Sequence, residues 1–328
     1  MMSRHVTITT GARVHFGPLS YRPANGRHFG GVGLMVDSPG VRLTLSANDT
    51  VQVTGDPEGS RRVKQFVSRI RESQLPLDDM GCRIHVERVV PSHAGFGSGT
   101  QLGLAVARGL AELAGETDVP VATLARRVGR GLRSAVGLYG FEFGGLIVDA
   151  GQREIDDIGA LACRLAVPDE WRVLLITPPV SPDGLSGAEE EQAFAQLGSM
   201  PLSLTNELSR LVLTELLPAV TARDFDGFSQ AVFEYGSRVG EFFSRIQGGT
   251  FGSPETDRLV DNIRQMGVIG VGQTSWGPTV FVFAENEGQA NSLASHIRTV
   301  KTDATEGLSV EVVAPRNQGV TVEVSGSH

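Results

Sequence analysis

Residues 89–110 read VVPSHAGFGSGTQLGLAVARGL. Gly95, Gly97 and Gly99 alternate with Phe96, Ser98 and Thr100, after a strand-like run and before a helix-like one. A helix starting there offers backbone N–H groups without acceptors and about half a positive charge. Glycines ahead of it let those groups approach an anion closely, and the hydroxyls of Ser98 and Thr100 add donors. The chemistry this suits is phosphate or pyrophosphate binding. A turn merely packed on its neighbour is the competing reading. The position between strand and helix, with two hydroxyls, decides for the anion cradle. No Gly-Lys-Ser/Thr follows, so the loop is not a Walker A loop. Thr100 stands where a dinucleotide fingerprint needs its third glycine.

Other cations are spaced for the same work. Arg13 and His15 lie two apart on a strand-like segment and so face one side. Pointed into a cleft they would hold phosphate or carboxylate; the alternative is a solvated strand edge. Arg27 and His28 precede Gly30 and Gly31, a combination suited to a mobile loop that closes on an anionic substrate. Arg126, Arg130 and Arg133 recur four and three apart, as on one helix face, where solvent exposure is the ordinary outcome for Arg126. His93 lies beside the loop and reads as incidental. Glu189, Glu190 and Glu191 suit a helix start, with one of them able to face Mg2+.

The elements that must carry these residues alternate in type. Period-two patterns predict strands at 6–10, 41–45, 51–54 and 82–90, and short strands at 146–148 and 171–177. Helical spacing predicts helices at 61–73, 100–114 and 121–132. A boundary near 165–180 divides the chain into 1–165 and 166–328. In the second part a polar loop at 181–191 precedes helices at 202–218, 225–246, 255–266 and 287–298. Strands are predicted at 268–272, 279–283 and 308–313. Such a pattern is α+β, in two domains.

Composition narrows the function. No run of about 20 apolar residues exists, so a membrane span is not expected. The first residues lack the apolar core of a signal peptide, and two cysteines give no disulfide framework. A cytoplasmic protein is the expectation. A net charge of -8 argues against a nucleic-acid partner. Lys64 and Lys301 are the only lysines, so cationic work falls to arginine.

The glycine loop resembles that of the GHMP superfamily of small-molecule kinases, roughly Pro-x-x-x-Gly-Leu-Gly-Ser-Ser-Ala. Pro91, Gly95, Phe96, Gly97 and Ser98 match it, whereas Gly99 and Thr100 depart. GARVHFGPLS (11–20) is similar to the superfamily's first motif and GVGQTSWGPTVFVF (270–283) to its third. The resemblance implies a ribosomal-protein-like N-terminal domain with a left-handed βαβ crossover, a ferredoxin-like C-terminal domain, and a site between them. Many of these kinases carry an aspartate several residues before a Gly-Gly pair. Counting back from Gly144-Gly145 reaches Val136 or Gly137, and no acid lies between Arg130 and Tyr139.

One branch, the β-ribofuranosylaminobenzene 5'-phosphate synthases, resembles the chain over more stretches. These include GRHFGGVGLMVDSP (26–39), GLRSAVGLYGFEFGGLIVD (131–149), GLSGAEEEQAF (184–194) and QGGTFGSPETDRLVDNIRQMG (247–267). That resemblance implies decarboxylating condensation of phosphoribosyl pyrophosphate with 4-aminobenzoate or 4-hydroxybenzoate, an early step toward tetrahydromethanopterin. It implies Mg2+ as cofactor with unassigned protein ligands, no nucleotide cofactor, small-molecule substrates as partners without nucleic acid or membrane, and a homodimer as a family-level expectation. The chemistry needs an anion cradle and cationic holders rather than a strong base. Arg13, His15, Arg133 and Ser134 are the catalytic candidates, the last two lying inside a matched stretch. Residues 95–100 form the pyrophosphate loop. Arg27, His28, Gly30, Gly31, Ser275 and Trp276 are substrate-binding candidates; the indole of Trp276 would stack on an aromatic ring, the competing reading being that it fills the domain interface. The alternatives are an ATP-dependent kinase on the same fold and a non-catalytic ligand-binding relative.

Overall fold

The structure is a computed structural model that describes residues 4–72, 81–154, 156–178, 197–275, 277–299 and 307–326. It is an α+β fold with two sheets. The first is built on β1 (His5–Gly17) and β2 (Gly31–Ala47), two long antiparallel strands that alternate buried and half-buried positions along much of their length. The far half of β2 pairs with β4 (Cys82–Arg88). Beyond β4 lies β3 (Gln52–Gly55), parallel to it and joined through α1 (Pro57–Glu72). The near half of β2 pairs with β5 (Leu146–Asp149), which pairs with β6 (Leu161–Leu165).

α1 buries Val63, Phe66, Val67 and Ile70, the face its spacing predicts. α2 (Ser98–Leu113) is buried from Gln101 to Leu113. It is apolar on most faces because it packs on α1, on both long strands, on α3 (Val121–Val128) and on α4 (Val136–Phe143). The helix predicted over 121–132 stops at Val128. Gly129 adopts φ 61° and caps it, and Gly131 follows at φ 89°. Arg130 and Arg133 therefore leave the helix face on which their spacing placed them.

The second sheet has the order β10-β7-β9-β8, antiparallel throughout, from β7 (Arg172–Thr177), β8 (Val271–Gln273), β9 (Val280–Ala284) and β10 (Ser309–Val313). Between β7 and β8 run α5 (Leu202–Leu211), a π turn over Val212–Leu216, α6 (Leu217–Ala222), α7 (Phe225–Gln247) and α8 (Pro254–Gln265). The π turn lies just ahead of Pro218, which cannot donate to a helical ladder. α9 (Glu287–Thr299) joins β9 to β10. Helix, hairpin and helix between strands in this order make the ferredoxin-like arrangement.

The chain does not end in that sheet. β11 (Thr321–Ser325) returns to pair with β1, His5 opposite Ser325. A single cut between 165 and 166 therefore does not describe sheet membership. The two sheets meet where β1 ends. Phe16 packs on Phe281 and Phe283 at ring-centroid distances of 5.3 and 6.0 Å. The Tyr235 hydroxyl donates to the Gly17 carbonyl at 3.0 Å. No helix among the described residues is long and apolar enough to cross a membrane.

Candidate functional site

Three distant segments meet at the glycine loop. Gly95 (φ 86°) and Gly97 (φ 70°) take left-handed backbone that a side chain would strain. Gly97 precedes α2 without a side-chain cap, and its carbonyl accepts from the amides of Thr100 and Gln101 at 3.0 and 3.1 Å. The Ser98 and Gly99 amides head the helix with no acceptor inside it.

The loop is tied down from behind. The Gly95 carbonyl accepts from Arg13 Nη1 at 2.8 Å and from Thr274 Oγ1 at 3.0 Å. The Phe96 carbonyl accepts from the Arg13 amide at 3.2 Å. Thr274 Oγ1 in turn accepts from the His15 amide at 2.9 Å, and the Ser275 amide donates to the His15 carbonyl at 2.9 Å. A Cβ on Gly277 would lie 2.3 Å from the Gly95 nitrogen, so only glycine fits there. Phe96 takes part in the loop through its backbone, and its ring, 3% exposed, belongs to the core.

Arg13 and His15 share the inner side of β1, as their spacing implies. Burial lowers the Arg13 guanidinium to about 10, so it stays a cation at neutral pH. A Cβ on Gly97 would sit 3.0 Å from Arg13 Cγ, so the stem lies directly under the loop. His15 differs. Burial and then the Arg13 charge push its pKa well below 6.5, so the ring is neutral at pH 7. Its Nε2 is 3.2 Å from Ser134 Oγ, and its Nδ1 is buried without a hydrogen-bond partner among the described residues. His15 therefore offers hydrogen bonds rather than charge.

Ser134 is held by a residue that sequence reading missed. Asp149, at the end of β5 and 1% exposed, accepts from the amides of Ala135 (2.6 Å) and Gly151 (2.8 Å). Burial raises its pKa against the pull of those two amides and of Arg27. Both carboxylate oxygens are engaged by backbone, so Asp149 fixes the turn that presents Ser134. Gln101 does a similar job in α2, accepting from Thr10 Oγ1 and donating to the Gly137 carbonyl, both at 2.8 Å.

The 27–31 segment is anchored. Arg27 Nη1 donates to the Gly151 carbonyl at 2.9 Å, and His28 and Gln152 exchange backbone bonds of 2.8 and 3.0 Å. The close approaches at Gly30 and Gly31 are to the protein itself. A Cβ would meet Asp149 O and Gly17 O respectively, each at 2.7 Å. Gly31 also leaves room for the His15 ring, 3.0 Å from that same Cβ position. Arg133 is exposed and close enough to Tyr21 to influence its hydroxyl. Ser275 sits at φ 56° beside His15. Trp276, Glu189, Glu190 and Glu191, and the 184–194 stretch lie outside the described residues. Among the described residues no group of three His, Cys, Asp or Glu is placed to hold a metal ion.

This loop, with its partners from β1 and the β8–β9 turn, belongs to a two-domain fold already known. Residues 61–145 match the GHMP kinases N terminal domain and 216–301 the GHMP kinases C terminal domain. Mevalonate diphosphate decarboxylase from Staphylococcus aureus superposes with a TM-score of 0.64 at 12% identity, over 98% of each chain. Two relatives narrow the class. β-Ribofuranosylphenol 5'-phosphate synthase of Methanothermobacter thermautotrophicus is 33% identical over 84% of this chain and 87% of its own. Its counterpart in Archaeoglobus fulgidus is 28% identical over 97% and 99%. The chain belongs to the β-ribofuranosylphenol 5'-phosphate synthase family, and is an enzyme of the transferase class.

Proposed function

We propose that the protein transfers the phosphoribosyl group of phosphoribosyl pyrophosphate to an aromatic acid carrying a 4-amino or 4-hydroxy group, with loss of CO2. The C1–oxygen bond to pyrophosphate breaks, and the ribosyl carbon bonds to the ring carbon that bears the carboxylate. The electron pair of the ring–carboxylate bond then restores aromaticity as CO2 leaves. No proton is gained or lost overall. The product is a C-riboside 5'-phosphate, of the kind that serves as an early intermediate of tetrahydromethanopterin synthesis.

The observation that carries this reading is the glycine loop at the head of α2, tied down by Arg13 and leaving the Ser98 and Gly99 amides without an acceptor inside the helix. Ser98 and Gly99 offer amides that have no acceptor inside the helix to the departing pyrophosphate, where they meet developing charge. Arg13 stays cationic beneath the loop and fixes it. His15 and Ser134 supply neutral hydrogen bonds at the wall of the same cleft, suited to orienting the acceptor. Asp149, buried at the end of β5, has both oxygens committed to amides. A kinase-like activation of an alcohol is less well served by this set. Mg2+, if bound together with the pyrophosphate, would supply charge neutralisation of the leaving group.

The test is product analysis after incubation with phosphoribosyl pyrophosphate, Mg2+ and each acid separately. A product that has lost the carboxyl mass and resists glycosidic hydrolysis supports the reading and identifies the acceptor. An O- or N-riboside that keeps the carboxylate would refute it.

A further inference from the structure

Beside the glycine loop lies an open groove of about 360 Å³. Arg62, Phe66 and Arg69 of α1 line one wall, and Arg130 closes the other. Two of the three guanidinium groups reach the loop itself. Arg62 donates Nη2 to Ser98 Oγ at 3.2 Å and Nη1 to Ser92 Oγ at 2.7 Å. Arg130 Cζ lies 3.0 Å from the place a Cβ on Gly99 would take, so the guanidinium stands directly against the bare residue of the loop. The guanidinium stands over the Phe66 ring, 5.4 Å from its centroid.

The charges there are unevenly met. Arg62 has Glu58 at 3.7 Å and also feels the charge of Asp56, whereas Arg69 spends a donor on the Val128 carbonyl at 3.3 Å. Glu72, the one acid that lines the groove, accepts from Ser68 at 3.1 Å. Arg130 has no carboxylate partner among the described residues. Its ionisation is made harder by burial and then by the charges of Arg62 and Arg69. Like charges gathered around an apolar ring repel one another. A multivalent anion removes that repulsion, and the planar arginine fork matches phosphate oxygens in pairs.

We propose that this groove is a second phosphate-binding subsite. It takes one phosphate group of a ligand whose other phosphate group rests on the Ser98 and Gly99 amides. Only the name of that ligand, the phosphoribosyl donor, rests on the function proposed above. The groove and the loop together bind any small diphosphate long enough to span them.

Isothermal titration of inorganic pyrophosphate and of phosphoribosyl pyrophosphate into wild type, Arg130→Gln and Arg258→Gln tests this. Arg258 pairs with Glu255 on an exposed helix surface and serves as the control. Arg130→Gln is expected to weaken both ligands by about tenfold or more, the worth of one charge-assisted hydrogen bond. Arg258→Gln is expected to bind as wild type does. Ligand-free Arg130→Gln is expected to melt at or above wild type, because one charge of a repelling set is gone. Undiminished binding by Arg130→Gln would overturn the proposal. So would a ligand-free melting temperature several degrees below wild type, which would make Arg130 a structural support. Pyrophosphate binding that needs Arg130, without CO2 release from any aromatic acid, would keep the subsite and refute the reaction. CO2 release with binding indifferent to Arg130 would do the reverse.

Discussion

Thr274 is the residue through which the cleft is joined, and Thr274→Val isolates its hydroxyl. The side chain is fully buried. Its Oγ1 accepts from the His15 amide and donates to the Gly95 carbonyl. Valine fills nearly the same volume, so no cavity contributes. The His15 N–H is then left buried without an acceptor, at a cost of about 1–3 kcal/mol, and the lost bond to Gly95 adds about 1 kcal/mol. The Gly95 carbonyl keeps Arg13 and adds no further penalty. The sum is about 2–4 kcal/mol, or a fall in melting temperature of roughly 3–6 °C for a chain of this size. Thr274→Ser keeps both bonds and loses a methyl group, worth about 1 kcal/mol. Thermal melts should therefore rank wild type above Thr274→Ser, and Thr274→Ser well above Thr274→Val. Pyrophosphate titration should show weaker binding only for valine, because only that change frees the loop. A Thr274→Val protein as stable as Thr274→Ser would refute the claim that the hydroxyl ties the loop to β1.

Two other perturbations have clear signs. Gly97→Ala forces a left-handed alanine, costing about 1–2 kcal/mol, and drives its Cβ against the Arg13 stem. Denaturant melts should show that loss, together with a pyrophosphate affinity reduced well beyond it. His15 has a depressed pKa in the folded state, so above 6.5 it is neutral whether folded or unfolded. Below that value the unfolded chain takes a proton that the buried ring refuses, and stability falls as pH drops toward the lowered value. Between pH 6.5 and 5 the wild-type melting temperature should fall more steeply than that of His15→Gln; parallel curves would contradict a neutral buried ring.

The legible part of the site is the part written in glycine and in strand period. Gly95, Gly97 and Gly277 sit where left-handed backbone or a 2.3 Å approach excludes a side chain, so their types record the geometry. Arg13 and His15 were found together because a strand repeats every two residues. Arg130 was misplaced because its spacing from Arg126 imitates a helix face. The signal that corrects it, Gly129 as a helix-ending residue, was present in the sequence. Arg62 carries no local mark, since it lies 36 positions from the Ser98 hydroxyl it meets. Asp149 and Thr274 look ordinary in sequence. Their work is to satisfy backbone groups brought to them by tertiary folding, which no local pattern announces. β11 was missed because a short, mostly exposed strand at a sheet edge buries too little to pattern its residues.

The most direct measurement is the release of CO2 from carboxyl-labelled 4-aminobenzoate and 4-hydroxybenzoate with Mg2+, phosphoribosyl pyrophosphate supplied or withheld, and ATP in a parallel series. Release that requires phosphoribosyl pyrophosphate and is indifferent to ATP is the predicted result. Retention of the label with both acids, with ATP consumed in the presence of a sugar or amino alcohol, would contradict it.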